Sequence, residues 1–169
     1  MKITNGEITI RDFLEKDIEK KVEWINNPQN NTFLHYDIPL NVEKTKLWFL
    51  NKNNANRLDC IIEFSNVPVG LIGLLNIDKI NKKAEFYITV GETCFKRKGI
   101  AKRATLLLVE YAFSEMGLNK VYLNVDQKNE IACALYEKCG FVLEGVFNKD
   151  LLFKGEFVNR CRYAIIKEN

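Results

Sequence analysis

Ala84-Glu85-Phe86-Tyr87-Ile88-Thr89-Val90 and, just after it, Cys94-Phe95-Lys96-Arg97-Lys98-Gly99-Ile100-Ala101-Lys102 are the residues that decide the fold of this chain. The first run is rich in aromatic and β-branched side chains and predicts a strand. The second predicts a short basic loop that ends in a glycine and runs directly into an amphipathic helix. Strand, cationic loop, small residue and helix start, in that order, make a place to hold a pyrophosphate. Unpaired N–H groups of a first helical turn point into such a loop, and the helix dipole adds partial positive charge. Gly99 leaves no Cβ in the path of a phosphate, and Ala101 keeps the approach open. Lys96, Arg97, Lys98 and Lys102 supply counter-charge. A solvated cationic turn has the same local signature, so the loop alone does not separate the two readings.

Working outward, Ile100, Ala104, Leu107, Leu108 and Tyr111 form one face of the helix that Gly99 opens, and Gly117 closes it. Val121-Tyr122-Leu123-Asn124-Val125 then reads as a strand. A strand, a helix and a second strand in succession predict a right-handed crossover with the two strands parallel. Upstream, 57–64 and 68–77 read as strands across the turn Ser65-Asn66-Val67-Pro68, and a turn at Lys79–Lys82 leads into 83–90 as an antiparallel meander. Nearer the start, 7–11 alternates as a strand with Ile8 and Ile10 on one face. A helix over 15–24 carries Leu14, Ile18, Val22 and Ile25 and stops before the breaker Asn26-Asn27-Pro28. A second helix begins at the N-cap Asn41 and carries Val42, Thr45, Trp48 and Phe49. Beyond the crossover, a helix over 129–139 ends at Gly140, and two last strands flank Lys154-Gly155-Glu156. The pattern is α/β, a mixed sheet with helices on both faces.

The 169 residues read as one domain, 1–169, with no linker or internal repeat. Apolar residues at 47% and charged residues at 28% are ordinary globular values. A net charge of +3 is too mild for a nucleic-acid partner, whereas four cations within 96–102 suit one bound polyanionic group. The five cysteines are odd in number and show no CxxC spacing, so neither a disulfide framework nor a metal site is expected. No apolar run is long enough to span a bilayer and the first residues carry no export signature, so a cytoplasmic protein without a membrane partner is expected.

Ligands in open α/β sheets favour the carboxyl ends of parallel strands. There the loop 94–98 follows the first strand, and Asn129, Ala132 and Tyr136 share one face of the helix after the second. A crevice is expected with phosphate donors on one side and an Asn and a Tyr hydroxyl on the other. Asn129 equally suits a helix N-cap, and Tyr136 a buried core tyrosine.

Together these pieces resemble the GNAT superfamily of acetyl-CoA-dependent N-acetyltransferases. Lys96-Arg97-Lys98-Gly99-Ile100-Ala101 is similar to the family's Gln/Arg-x-x-Gly-x-Gly/Ala pyrophosphate motif, with lysine where Gln or Arg is usual. The stretch from Asn129 to Phe141, containing Leu135-Tyr136-Glu137-Lys138-Cys139-Gly140, is similar to the family's N-xx-A-xx-LYEK-x-GF segment, and the element order matches over essentially the whole chain. Ile10-Arg11-Asp12-Phe13, Trp24 through Pro28 and Trp48-Phe49 resemble the branch holding ribosomal-protein N-terminal and amino-sugar acetyltransferases.

The resemblance implies a mostly antiparallel sheet with one splayed parallel pair, acetyl-CoA as cosubstrate, no metal, and a monomer or homodimer. Pyrophosphate would meet the backbone of Arg97, Lys98, Gly99, Ile100, Ala101 and Lys102, with Asn129 opposite. The pantetheine arm would lie along 88–91 as an added strand, and the acetyl carbonyl would point at the Val90 N–H. Tyr136 stands where the family places the general acid. Glu85 is the candidate base, its alternative being an ion pair with Lys82 or Lys83. His35 and Tyr36, in a loop that walls the family's acceptor site, together with Trp24 and Asn26, are the candidate acceptor residues. The acceptor amine stays open among a protein N-terminus, a nucleotide-linked amino sugar, a polyamine and an antibiotic, and no acidic cluster advertises a polycation site. The competing class is a non-catalytic CoA-binding sensor or scaffold.

Overall fold

The chain is described by a computed structural model that covers residues 1–52 and 54–168. Its strands are β1 (Lys2–Asn5), β2 (Ile8–Asp12), β3 (Leu58–Phe64), β4 (Val67–Asp78), β5 (Lys83–Val90), β6 (Lys120–Asp126), β7 (Val142–Phe153) and β8 (Glu156–Ile166). The α-helices are α1 (Ile18–Asn26), α2 (Val42–Asn51), α3 (Ile100–Ser114) and α4 (Glu130–Lys138). All the strands join one sheet in the order β1-β2-β3-β4-β5-β6-β8-β7. Every pairing is antiparallel except β5 with β6.

Local chemistry sets the boundaries. Ser65 and Asn66, both at positive φ (49° and 66°), form the tight turn between β3 and β4, with the backbone twist that a two-residue hairpin loop requires. The strand therefore resumes at Val67, inside the stretch that the sequence reads as turn. The first helix begins as a 3-10 turn over Glu15–Asp17 before α1 proper, and α1 runs on through Asn26. β1 has no counterpart in the sequence reading. Its only apolar residue is Ile3, so it shows no alternation, and it is held as an edge strand by pairing with β2.

Alternation in the central strands loads both faces of the sheet. Ile8, Ile10, Ile62, Ile72, Leu74, Ala84 and Phe86 pack under α3 and α4, with Ile100, Ala104 and Leu108 from α3. Ile61, Leu71 and Tyr87 face the other way and meet Phe13, Ile18, Trp24 and Ile25, under α1 and α2.

The parallel pair is short. Lys83, Ala84 and Glu85 align with Lys120, Val121 and Tyr122, and there the ladder ends. Beyond that point β5 stays with β4 as far as Val90, and β6 stays with β8 as far as Asp126. The two strands part as a V that opens toward their carboxyl ends, where α3 and α4 begin.

One close contact fixes this region. A Cβ built on Gly91 would lie 2.1 Å from Cγ of Trp24, whose indole is 2% exposed and donates from Nε1 to Glu92 at 3.0 Å. A buried ring clamped by its neighbours cannot yield to a methyl group. Gly91→Ala is expected to destabilise the fold by about 3 kcal/mol, the upper range for overpacking. Urea unfolding checks this, and an unchanged midpoint would show that the ring is free to move.

Candidate active site

The basic loop lies at the mouth of the V. Gly99 is the N-cap of α3 at φ +73°, left-handed, where its missing side chain can cap nothing, and no atom stands within 4 Å of a Cβ placed there. Arg97 is also left-handed, at φ 62°. The first bond of the helix ladder runs from Arg103 N–H to the Gly99 carbonyl, so the N–H groups of Ile100, Ala101 and Lys102 precede it. Asn41 caps α2 and Asn129 caps α4, whereas no side chain caps α3. A helix start left open beside alternating backbone hands is an anion-binding concavity.

The cations divide their work. Lys96 is not turned to this concavity: its Nζ donates to the Gln29 carbonyl at 3.0 Å and to Asn30 Oδ1 at 2.6 Å. Asn30 in turn donates to the carbonyls of Trp24 and Gly91. The lysine at the motif's first position therefore fastens the loop to the end of α1. Lys98 lies 4.9 Å from the ring centre of Phe95. Arg97, Lys98 and Lys102 are exposed and form no ion pair among the described residues. Ile100 contributes only its backbone here, since its side chain is 1% exposed in the core.

On β5, the Gly91 N–H donates to Val69 on β4. Alternation along an extended chain turns the Val90 N–H the opposite way, into the split. Phe86 is the first residue past the last parallel pair, and Tyr136 meets it edge-on with ring centres 6.3 Å apart. Tyr136 is 8% exposed and its hydroxyl bonds to no described residue. Burial, with smaller contributions from Cys139 and Cys133, pushes the phenol well above its ordinary range.

Glu85 alternates with Ala84 and Phe86 and so faces the α1/α2 side, with Tyr136 on the α3/α4 side. Neither Lys82 nor Lys83 pairs with it. Its carboxylate accepts from Asn76 Nδ2 at 2.8 Å and from Asn124 Nδ2 at 2.9 Å. Asn124 is on β6, so its amide bridges the strands where the backbone ladder has stopped. Asn76 comes from a bulge in β4, at φ 50°, where the register with β5 shifts. Sequence reasoning missed both amides. A polar Asn directly after the apolar run Gly70–Leu75, and another within the apolar strand Val121–Val125, are weak signals.

The acceptor-side candidates separate. His35 packs edge-on to Phe153 at 4.7 Å, by the turn between β7 and β8, and its pKa is lowered by burial and then by Arg160, with Asp126 opposing. Tyr36, its neighbour in sequence, turns inward against the second core, where burial raises its phenol. Trp24 is buried in the second core, 2% exposed. Asn26 is a clamp, donating to the Leu40 carbonyl at 3.0 Å and accepting from the Leu40 N–H at 2.6 Å. Asn129 spends its Oδ1 on the Ala132 N–H at 3.3 Å, the N-cap role.

Comparison with known proteins gives the same outline. The family described as an acetyltransferase (GNAT) domain matches residues 7–142. A spermidine N(1)-acetyltransferase of Escherichia coli (strain K12) is 31% identical over 126 residues, 75% of this chain and 67% of the relative. A Bacillus subtilis relative, YdaF, provisionally named a ribosomal N-acetyltransferase, is 29% identical over 171 residues, 96% of this chain and 93% of its own. Among solved structures, the spermidine N-acetyltransferase of Vibrio cholerae in complex with CoA and spermine superposes with a TM-score of 0.86 at 26% identity. That match covers 96% of each chain.

The backbone at Gly99 yields a direct check. Nothing would touch a new methyl group, so Gly99→Ala should cost only the left-handed strain of an L-residue, about 1–2 kcal/mol. Chemical denaturation measures it, and a neutral substitution would mean that the loop reaches α3 by another backbone path.

Proposed function

The chain belongs to the GNAT acetyltransferase family and is an acetyl-CoA-dependent N-acetyltransferase, and from that premise we propose a polyamine of the spermidine class as its acceptor. The observation that carries the mechanism is the placement of Tyr136 and Glu85 on opposite sides of the split, at the point where β5 and β6 part. Acetyl-CoA lies in the V, its pyrophosphate on the open start of α3 and its thioester carbonyl toward the Val90 N–H. The amine enters from the Glu85 side and attacks the carbonyl carbon directly. Its nitrogen gains the acetyl group, the C–S bond breaks, and the sulfur leaves as thiolate.

Three proton movements balance the reaction. The acceptor arrives as an ammonium and gives up one proton toward Glu85, through water and on to solvent. The thiolate takes one from Tyr136 on the other face, and the nitrogen, which still carries an extra proton after the attack, releases it through solvent to restore the phenol. Glu85 is suited to receive a cation because its bonded partners are neutral amides, which orient the carboxylate without cancelling its charge. Burial raises the Tyr136 pKa, so the phenol stays protonated throughout the working range and gives up its proton only as charge develops on the departing sulfur beside it. The names of the spermidine-acetylating relatives support the choice of acceptor, and an assay of CoA thiol release with spermidine, spermine and an N-terminal peptide tests it. Spermidine is expected to give the highest kcat/KM, and a preference for the peptide would overturn the choice.

Saturating acetyl-CoA, at about 100 times its Kd, should stabilise the fold by roughly 2.7 kcal/mol, and Gly99→Val should remove most of the resulting rise in Tm. Tyr136→Phe should lower kcat on the order of ten- to a thousand-fold. It should leave Tm almost unchanged, since the lost hydroxyl bonds to no described residue. Because the phenol loses its proton only far above its usual range, wild-type rates should show no alkaline limb from this group below about pH 10. Glu85→Gln should depress kcat/KM most at low pH, where free amine is scarcest. Wild-type turnover in the phenylalanine variant would return Tyr136 to a packing role.

A further inference from the structure

Lys21 lies on the buried face of α1, only 8% exposed, and no carboxylate among the described residues is bonded to it. Its Nζ stands 3.4 Å from the ring centre of Trp48, with Phe13 at 5.7 Å and Tyr36 at 5.9 Å. The buried carboxylate nearby is already taken. Asp59, 6% exposed, accepts from Arg57 at 2.8 and 2.7 Å, from Lys52 at 3.2 Å and from the Tyr87 hydroxyl at 2.8 Å. Arg57 and Lys52 also approach the Trp48 ring, at 5.1 and 5.5 Å. Three cations thus surround one indole, and two of them hold the one carboxylate.

Beside this cluster a cleft of about 210 Å³ opens between the two helices and the residues that join them, walled by Lys21, Tyr36, Leu40, Lys44 and Trp48. A buried ammonium without an anion is costly, and ring faces recover only part of that cost. We propose that this cleft binds a small organic oxyanion, a carboxylate or a phosphate ester, with its charged end on Lys21 and its body against Trp48 and Tyr36. A polyamine does not fit here, because it would add positive charge beside Lys21 and Lys44. The site is therefore distinct from the acceptor position at Glu85 and stands whether or not the acetyl acceptor is a polyamine.

The charge environment sets the pH response. Desolvation above all, with Arg57 and Lys52 adding to it and Asp59 opposing, brings the Lys21 ammonium down to about 8. Asp37 and Lys44 face the same cleft. An oxyanion binds the protonated form, so affinity should be greatest below about pH 8. It should weaken toward tenfold per unit above that, and the bound anion should raise the ammonium pKa.

Titration of the whole protein with benzoate and with phenyl phosphate, followed by Trp fluorescence and by the pH titration of the lysine Nζ signals in NMR, tests the site. Saturable binding of either probe is expected, with a raised Lys21 pKa. Lys21→Met should weaken binding at least tenfold, and Lys16→Met, the same charge change at an exposed residue, should not. Binding of one probe alone identifies the anion type and supports the proposal. Saturation by neither probe, or equal binding to Lys21→Met, overturns it. If Lys21→Met does not fold, the wild-type Nζ titration decides: a pKa raised by the probe supports the site, and an unmoved one refutes it.

Discussion

Backbone hydrogen bonding between β5 and β6 lasts for three aligned pairs and stops at Glu85 and Tyr122, and the functional geometry depends on that stop. A sheet in a folded core normally pairs its strands along their length, since an unpaired buried N–H or C=O costs free energy. Here alternate backbone groups from Phe86 to Val90 face a gap instead of a neighbouring strand. Each strand keeps its outer partner, so the gap is held open without unfolding either edge. An extended ligand with amide groups of its own is the kind of molecule that completes such an edge.

Two side-chain systems hold the V in shape. At its apex, Asn124 and Asn76 reach Glu85 from the strands on either side and extend the pairing by side chain where the backbone pairing has ended. At its mouth, Trp24 packs on Gly91 and bonds Glu92, while Asn30 bonds Gly91 and receives Lys96. The end of β5, the close of α1 and the basic loop are thereby one connected unit. Trp24 is buried in this unit, and Asn26 holds Leu40 beside it.

The sequence was most legible where one residue type has one physical reason to be present. Gly99 takes a left-handed backbone before a helix, and the periodic apolar residues after it build α3 as its spacing predicts. The mixed sheet with one parallel pair followed from the strand–helix–strand order. Legibility failed where tertiary contact reassigns a polar side chain. Lys96 belongs by position to a phosphate motif, yet its partners are some sixty-odd positions away in the chain. Asn76 and Asn124 lie within strands and gain their role only from a bulge and from the parting of β5 and β6. Lys21 falls three residues after Ile18 and four before Ile25, on the apolar stripe of α1, which was a readable sign that it is buried. β1 offered no pattern at all.

The central claim is that acetyl-CoA completes the open edge of β5 within the split. Amide hydrogen exchange, resolved by residue and compared with and without CoA, tests it most directly. Slowed exchange is predicted at Phe86, Ile88 and Val90, whose N–H groups alternate into the gap, and at Ile100, Ala101 and Lys102 at the start of α3. Tyr87 and Thr89, already turned toward β4, should change little. Protection confined to the basic loop, with exchange along β5 unchanged, would contradict the account.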